Sequence, residues 1–327
     1  MSRASTARRI VATAAYSGGG AVGVLGGAVG FLWAQSLLAR RRVGLPRGKP
    51  FVTDGRYFPD GTFLAAGAEA TRVGAESRPA GLGHPDLLRM VMLGDSGAAG
   101  LGAASLRDTP SARLAFGLAA ATGRPVDLVC LAIVGAQSSA MPEQVGTALE
   151  SFESGPPHVA VLMIGANDVT HRVRPQVSVR YLDQAVRTLV EAGAGVVVAC
   201  CPDLGTVQPV PNPLRLIGRW ASRTLAAAQA LATEQAGGRP VELGAILGPE
   251  FSADPGEYFS EDRFHPSSVG YRRAAEVILP ELMLALARAG DPGADSEVPE
   301  QPAANLGDAS EHGYDLLGPG DAPVAVR

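Results

Sequence analysis

Residues 88–103 read LRMVMLGDSGAAGLGA, from Leu88 to Ala103. Apart from Arg89, the run up to Leu93 is apolar without alternation. That is the pattern of a short strand covered on both faces. It stops at Gly94-Asp95-Ser96, residues suited to a turn. Three further runs share the pattern: Val126–Ile133 (VDLVCLAI), Val159–Ile164 (VAVLMI) and Gly195–Cys201 (GVVVACC). A shorter fifth lies at Val241–Leu243.

Helical stretches separate these runs. They are expected at Ser111–Thr122, within Ala136–Phe152, at Val177–Ala192 and at Leu214–Gln235, with a closing helix at Ser267–Ala289 interrupted by Pro280. Apolar strands alternating with helices predict an α/β fold. Its form is a three-layer α/β/α sandwich around a mostly parallel five-stranded sheet. Ligands in such sheets bind at the carboxyl ends of the strands. Candidate site residues are therefore sought just after strands.

Outward from this core the composition changes. The whole chain has 327 residues, 46% hydrophobic and 18% charged, with net charge −4. Such a chain buries a sizeable core, and its charge gives no general surface for nucleic acid. Residues 1–49 carry eight basic residues and no acidic one, whereas 291–327 carry eight acidic residues and one basic. The tail 291–327 has no apolar period and reads as disordered. Residues 50–87 read as a linker and lead-in, and 88–290 as the enzyme-sized domain.

Within residues 1–49, Ile10 to Ala39 holds 30 residues without a charge. As a helix it would span roughly 45 Å, against a bilayer core of about 30 Å. Its most apolar part is Ala21–Ala39, and Arg9 and Arg40–Arg42 bracket the stretch as interfacial anchors would. A retained single-span membrane anchor fits its length better than a cleaved signal peptide does. The basic residues after the stretch outnumber those before it, which leans the domain slightly towards the cytoplasmic side. Gly19, Gly23 and Gly27 match a helix-dimerisation spacing, but glycine richness alone accounts for it.

Four short blocks stand at strand ends or before the closing helix: Gly94-Asp95-Ser96, Gly135, Gly165-Ala166-Asn167-Asp168, and Asp262-Arg263-Phe264-His265-Pro266. Together they resemble the SGNH, or GDSL, hydrolase superfamily, with its blocks carried by Ser96, Gly135, Asn167 and His265. The resemblance covers roughly residues 88–285 and excludes both ends of the chain. The wording VMLGDSGAAGLGA and ACCPDLG looks like the actinobacterial lipase- and esterase-like branch. The resemblance implies a flavodoxin-like sheet and a serine nucleophile. It also implies an oxyanion hole made by the backbone N–H groups of Ser96 and Gly135 with the Asn167 side-chain amide.

The residues give the same chemistry a physical footing. A serine hydroxyl needs a base to take its proton. Of five histidines, His84 lies in the lead-in, His312 in the tail and His158 at the wrong end of a strand. His171 and His265 remain. His265 stands three residues after Asp262, so a turn brings that carboxylate to one ring nitrogen and leaves the other for Ser96. Asp95 and Asp168 read as loop-shaping acids, and Gly97–Gly102 as a flexible stretch lining the cleft.

No G-x-S-x-G elbow, zinc motif or phosphate loop is present, so neither metal nor cofactor is expected. Three cysteines in apolar runs offer no disulfide framework. The expectation is a serine hydrolase of carboxylic esters, anchored to a membrane, with small or lipid-like acyl esters as substrates. An acyltransferase, a thioesterase or a carbohydrate deacetylase would use the same site. A catalytically silent membrane-anchored binding module is the alternative of another class.

Overall fold

The computed structural model describes residues 30–38, 42, 48–67 and 87–289. The acidic tail 291–327 and most of the uncharged N-terminal stretch lie outside the described residues. Seven strands form one sheet: β1 (Gly55–Tyr57), β2 (Phe63–Ala65), β3 (Leu88–Gly94), β4 (Val126–Cys130), β5 (Val159–Met163), β6 (Gly195–Ala199) and β7 (Arg239–Val241). Their order is β2-β1-β4-β3-β5-β6-β7. The last five are parallel, and β1 joins β4 and β2 antiparallel.

The helices are α1 (Pro110–Thr122), α2 (Met141–Glu150), α3 (Ala166–Thr170), α4 (Pro175–Glu191), α5 (Leu214–Gln235), α6 (Leu243–Ile246), α7 (Gly248–Ala253), α8 (Pro255–Tyr258) and α9 (Ser268–Arg288). Alternate residues of each strand feed two cores. Met90, Met92 and Val161 pack with α1 and α9, through side chains such as Leu114, Leu118, Ile278 and Leu282. Val91, Leu93 and Leu162 pack with α2, α4 and α5, through Val145, Leu182, Val186 and Leu225. The fold is therefore the expected α/β/α sandwich.

The sheet has seven strands rather than the expected five. The two extra strands come from the stretch read as linker. Each is three residues long, too short to show a period. What holds them is the Tyr57 ring, fully buried and in contact with Phe63 and Phe116 at centroid separations of 4.8 and 4.7 Å. Its hydroxyl donates to the Thr53 carbonyl at 2.7 Å.

The closing helix also differs from expectation, because α9 runs through Pro280 without a break. Ile278, Leu279, Leu282 and Met283 around the proline are all buried. Their packing keeps the helix together despite the lost backbone bond.

The order β4-β3-β5 makes the end of β3 the point where successive connections leave in opposite directions. Ligand sites in open α/β sheets form at such a point. Ser96 lies two residues beyond it.

Candidate active site

β3 delivers Ser96 through a tightly determined turn. Gly94 has φ +139°, and a Cβ there would overlap the Met163 carbonyl oxygen of β5. Only glycine lets the two strand ends approach this closely. Asp95 N donates to the Met163 carbonyl at 3.1 Å, and Asp95 Oδ1 accepts from Gly97 N at 2.9 Å. Leu101 N then donates back to the Ser96 carbonyl at 3.0 Å. Ala98, Ala99 and Leu101 are buried, so the stretch expected to be flexible is a packed turn. Gly97 alone of it lines the cavity beside Ser96.

His265 comes from the loop before α9. Asp262 organises that loop: its Oδ1 accepts from Phe264 N at 2.8 Å, His265 N at 2.9 Å and Ser260 Oγ at 2.9 Å. Its Oδ2 lies 2.6 Å from His265 Nδ1. His265 Nε2 lies 2.9 Å from Ser96 Oγ. Burial pushes the Asp262 carboxyl up, but the hydrogen bonds from the His265 ring and the two backbone N–H groups outweigh it and hold the group at about 2. Asp262 is thus an anion beside the imidazole at neutral pH.

The remaining expected residues gather on the other side of Ser96. Gly165 (φ +130°) turns the end of β5 into α3, which carries Asn167 and Asp168. Asn167 Nδ2 donates to the Ala136 carbonyl at 3.0 Å and points at Asp95 Oδ2 at 3.4 Å, beyond normal bonding range. Gly135 has φ +83°, with nothing near the position of an added Cβ. Among the described residues, the backbone N–H groups of Ser96 and Gly135 donate to no acceptor.

Asp168 fixes this side of the site. Its buried carboxylate accepts from Ser138 N and Ser138 Oγ and, at 2.7 Å, from Ser178 Oγ. It therefore ties the Gly135 loop to α3 and α4. Both acids shape loops, as expected from the sequence. Asp95 differs from Asp262 in its electrostatics: burial raises its carboxyl to about 6, with hydrogen bonding from Gly97 N and the nearby His265 pulling the other way.

Two glutamines were not singled out in the sequence. Gln144 of α2 donates to the Gly94 carbonyl at 3.0 Å and accepts from Gly94 N at 2.7 Å. Gln229 of α5 donates to the Ile164 carbonyl at 3.1 Å and accepts from Cys201 N at 2.7 Å. Each bonds one N–H and one carbonyl at strand ends beside the site; the Gly94 carbonyl also accepts from Ile133 N at 3.0 Å. The available signal was an amide within a buried helical stripe, as with Gln144 among Met141, Val145 and Ala148.

The rival histidine falls away. His171 is exposed, and its Nδ1 lies 2.8 Å from the Asn167 carbonyl. His158 Nδ1 accepts from Arg89 N at the amino end of β5. His84 and His312 lie outside the described residues. The three cysteines are free, and burial raises the Cys200 thiol to about 12. Among the described residues no cluster of His, Cys, Asp and Glu suits a metal ion.

Beside Ser96 and His265 opens an apolar cavity of about 120 Å³, walled by Ile164, Leu204, Val207, Leu247, Phe251 and Phe259 among others. A serine, an imidazole, an anionic carboxylate and unpaired N–H donors thus meet at one end of the sheet, next to apolar space.

The sequence model of the GDSL-like Lipase/Acylhydrolase family matches residues 92–273. The chain belongs to this family. The matched range begins inside β3 and ends in α9, so it contains all four blocks. The GDSL-like esterase Rv1075c of Mycobacterium tuberculosis is 38% identical over 257 residues, covering 78% of this chain and 79% of its own.

Solved structures with a similar fold include a lipolytic G-D-S-L family member from Veillonella parvula, with TM-score 0.46 and 17% identity. It covers 59% of this chain and 96% of its own. A lipase/acylhydrolase from Enterococcus faecalis gives TM-score 0.43 and 18% identity, covering 62% and 96%. Family membership rests on the two sequence matches, not on these. The GDSL-family chain is a hydrolase of the SGNH type.

Proposed function

We propose that this hydrolase cleaves carboxylic esters of short acyl groups through an acyl-serine intermediate. The observation that carries the reading is the chain Ser96 Oγ–His265 Nε2 (2.9 Å) and His265 Nδ1–Asp262 Oδ2 (2.6 Å) at the rim of the apolar cavity. Ser96 Oγ attacks the acyl carbonyl while His265 Nε2 takes its proton. Asp262 holds the ring so that Nδ1 carries the other proton, and it offsets the charge of the imidazolium. The oxyanion receives the N–H groups of Ser96 and Gly135 and the Asn167 amide, whose long contact to Asp95 yields to it. His265 returns the proton to the leaving alcohol. A water, deprotonated in turn by His265, then releases the acid.

Cavity size supports the acyl class. An apolar cavity of about 150 Å³ accepts a benzene-sized guest. At about 120 Å³ this one suits a few methylenes rather than a long lipid chain.

A fluorophosphonate probe tests the reading. The purified protein should be labelled at Ser96, and Ser96→Ala and His265→Ala should abolish labelling. Labelling elsewhere, or none on folded protein, overturns it. A p-nitrophenyl ester series should peak at acetate to butyrate; a peak at decanoate removes the short-acyl assignment.

We propose also that the uncharged N-terminal stretch anchors the chain in a membrane, with the domain on the cytoplasmic side. Its support is compositional: no charge from Ile10 to Ala39, and more basic residues after it than before. Among the described residues no helix is long and apolar enough to cross a membrane. Residues 30–38 are helical, and their Gln35 is bonded to the domain, so the inserted part ends before residue 30. The 20 residues 10–29 would span about 30 Å as a helix, the thickness of a bilayer core. Protease protection on intact cells decides the side.

A further inference from the structure

The helix at residues 30–38 lies against the start of α5. Gln35 is the clamp: its Nε2 donates to the Asn212 carbonyl at 2.6 Å and its Oε1 accepts from Leu214 N at 3.2 Å. Gln35 is buried, but most of this helix is not. Trp33 and Leu37 face away from Gln35 and Phe31 and Leu38 flank it; all four are exposed, with Trp33 at 64%. On α5, Leu216, Ile217, Trp220 and Leu231 are likewise exposed, with Trp220 at 70%. These four follow a helical spacing opposite the buried Ser222, Leu225, Ala226 and Gln229. Both tryptophans of the protein therefore stand in the open on two elements bonded to each other.

An apolar surface of this kind calls for an occupant. Charge selects it. Residues 30–42 and α5 contain six arginines against one acidic residue, Glu234 in the last turn of α5. The chain just before residue 30 has 20 residues without a charge. Tryptophans with flanking arginines suit the headgroup layer of an anionic bilayer, where the ring is half buried and the guanidinium meets phosphate.

We propose that the outer faces of the 30–38 helix and of α5 form one surface that docks the domain on an anionic membrane. The surface is coupled to the site. Arg219 and Arg223 of α5 pair with Asp203 at 3.4 and 2.8 Å, and Asp203 lines the cavity beside Ser96. Docking thus holds the acyl cavity at a fixed height above the lipid. The inference is independent of the catalytic reading. It extends the anchor reading with a second contact, which Trp220 reports by itself.

The test uses the full chain with Trp33→Phe, which leaves Trp220 as the sole tryptophan. It is mixed with vesicles of phosphatidylcholine and phosphatidylglycerol bearing brominated acyl chains. The expected result is loss of Trp220 emission, weaker at high salt or without phosphatidylglycerol. Emission should be restored when Leu216→Glu and Ile217→Glu are added. Activity on a soluble ester should be unchanged in that variant, which shows that it is folded. Full emission from protein that floats with the vesicles overturns the docking surface and leaves the anchor standing. Quenching in protein that does not float unless phosphatidylglycerol is present supports docking and removes the anchor. Shielding of Trp220 from iodide that grows with protein concentration, without lipid, overturns the proposal in favour of a second copy on this face.

Discussion

Asp95 and Asp262 are carboxylates of one site, yet they titrate in opposite directions. Asp262 accepts three hydrogen bonds through Oδ1 and faces His265 through Oδ2, so its folded value falls to about 2. The stability it adds is present above the unfolded value near 4 and is lost as pH falls towards 2. Asp95 is raised by burial to about 6. Between about pH 4 and 6 the native state holds a proton that the unfolded chain has released, so stability falls as pH rises through that window. A shift of this size corresponds to about 3 kcal/mol. Asp95→Asn should therefore flatten the decline between pH 4 and 6 in urea denaturation measured across pH; an unchanged slope would show that Asp95 is not its source. Asn167 gives the second prediction at this scale. Asn167→Ala should lower kcat about 10²- to 10³-fold, the usual effect of losing one oxyanion donor, with little change in KM. A fall in KM-linked binding alone would remove Asn167 from that role.

At the scale of elements, the strand ends around the site are finished by side chains as well as by backbone. β3 stops at Gly94, whose N–H and carbonyl are both bonded to Gln144. Gln144→Ala leaves the Gly94 N–H without a partner, whereas the Gly94 carbonyl keeps its bond from Ile133 N at 3.0 Å, so a loss of about 1–3 kcal/mol is expected in urea denaturation. The rate of fluorophosphonate labelling should drop with it, because Ser96 is two residues away. A stable variant with normal labelling would show that the turn holds itself. α9 carries the opposite lesson. Pro280 sits inside it and removes one backbone bond, and packing alone keeps the helix continuous. Pro280→Ala should raise the thermal midpoint, by up to about 3 kcal/mol of stability, if the alanine meets no new clash. A destabilised variant would mean that the proline ring itself fills part of the core.

At the scale of the molecule, the β1–β2 hairpin belongs to the same sheet as the site, through pairs such as Tyr57 with Val126. Tyr57→Ala should cost about 3–5 kcal/mol in global unfolding, the range for emptying a large aromatic site. Loss of only the hairpin signal, with the rest unfolding as before, would make it an appendage. The layered α/β fold was legible from residue patterns alone, because strands covered on both faces need unbroken apolar runs, and runs such as 159–164 show them. The sequence also determined the order of the four blocks, since a parallel sheet delivers every strand end to one edge, and it singled out Ser96, Gly135, Asn167, Asp262 and His265. Only the folded chain shows the His265 imidazole 2.9 Å from Ser96 Oγ, because the two lie 169 positions apart. Only it revealed the hairpin, whose three-residue strands are held by the Tyr57 ring rather than by any period of their own. It alone revealed Gln144 and Gln229 as well, since what marks a buried amide is the unpaired backbone it meets on another element, and local sequence carries no record of that partner.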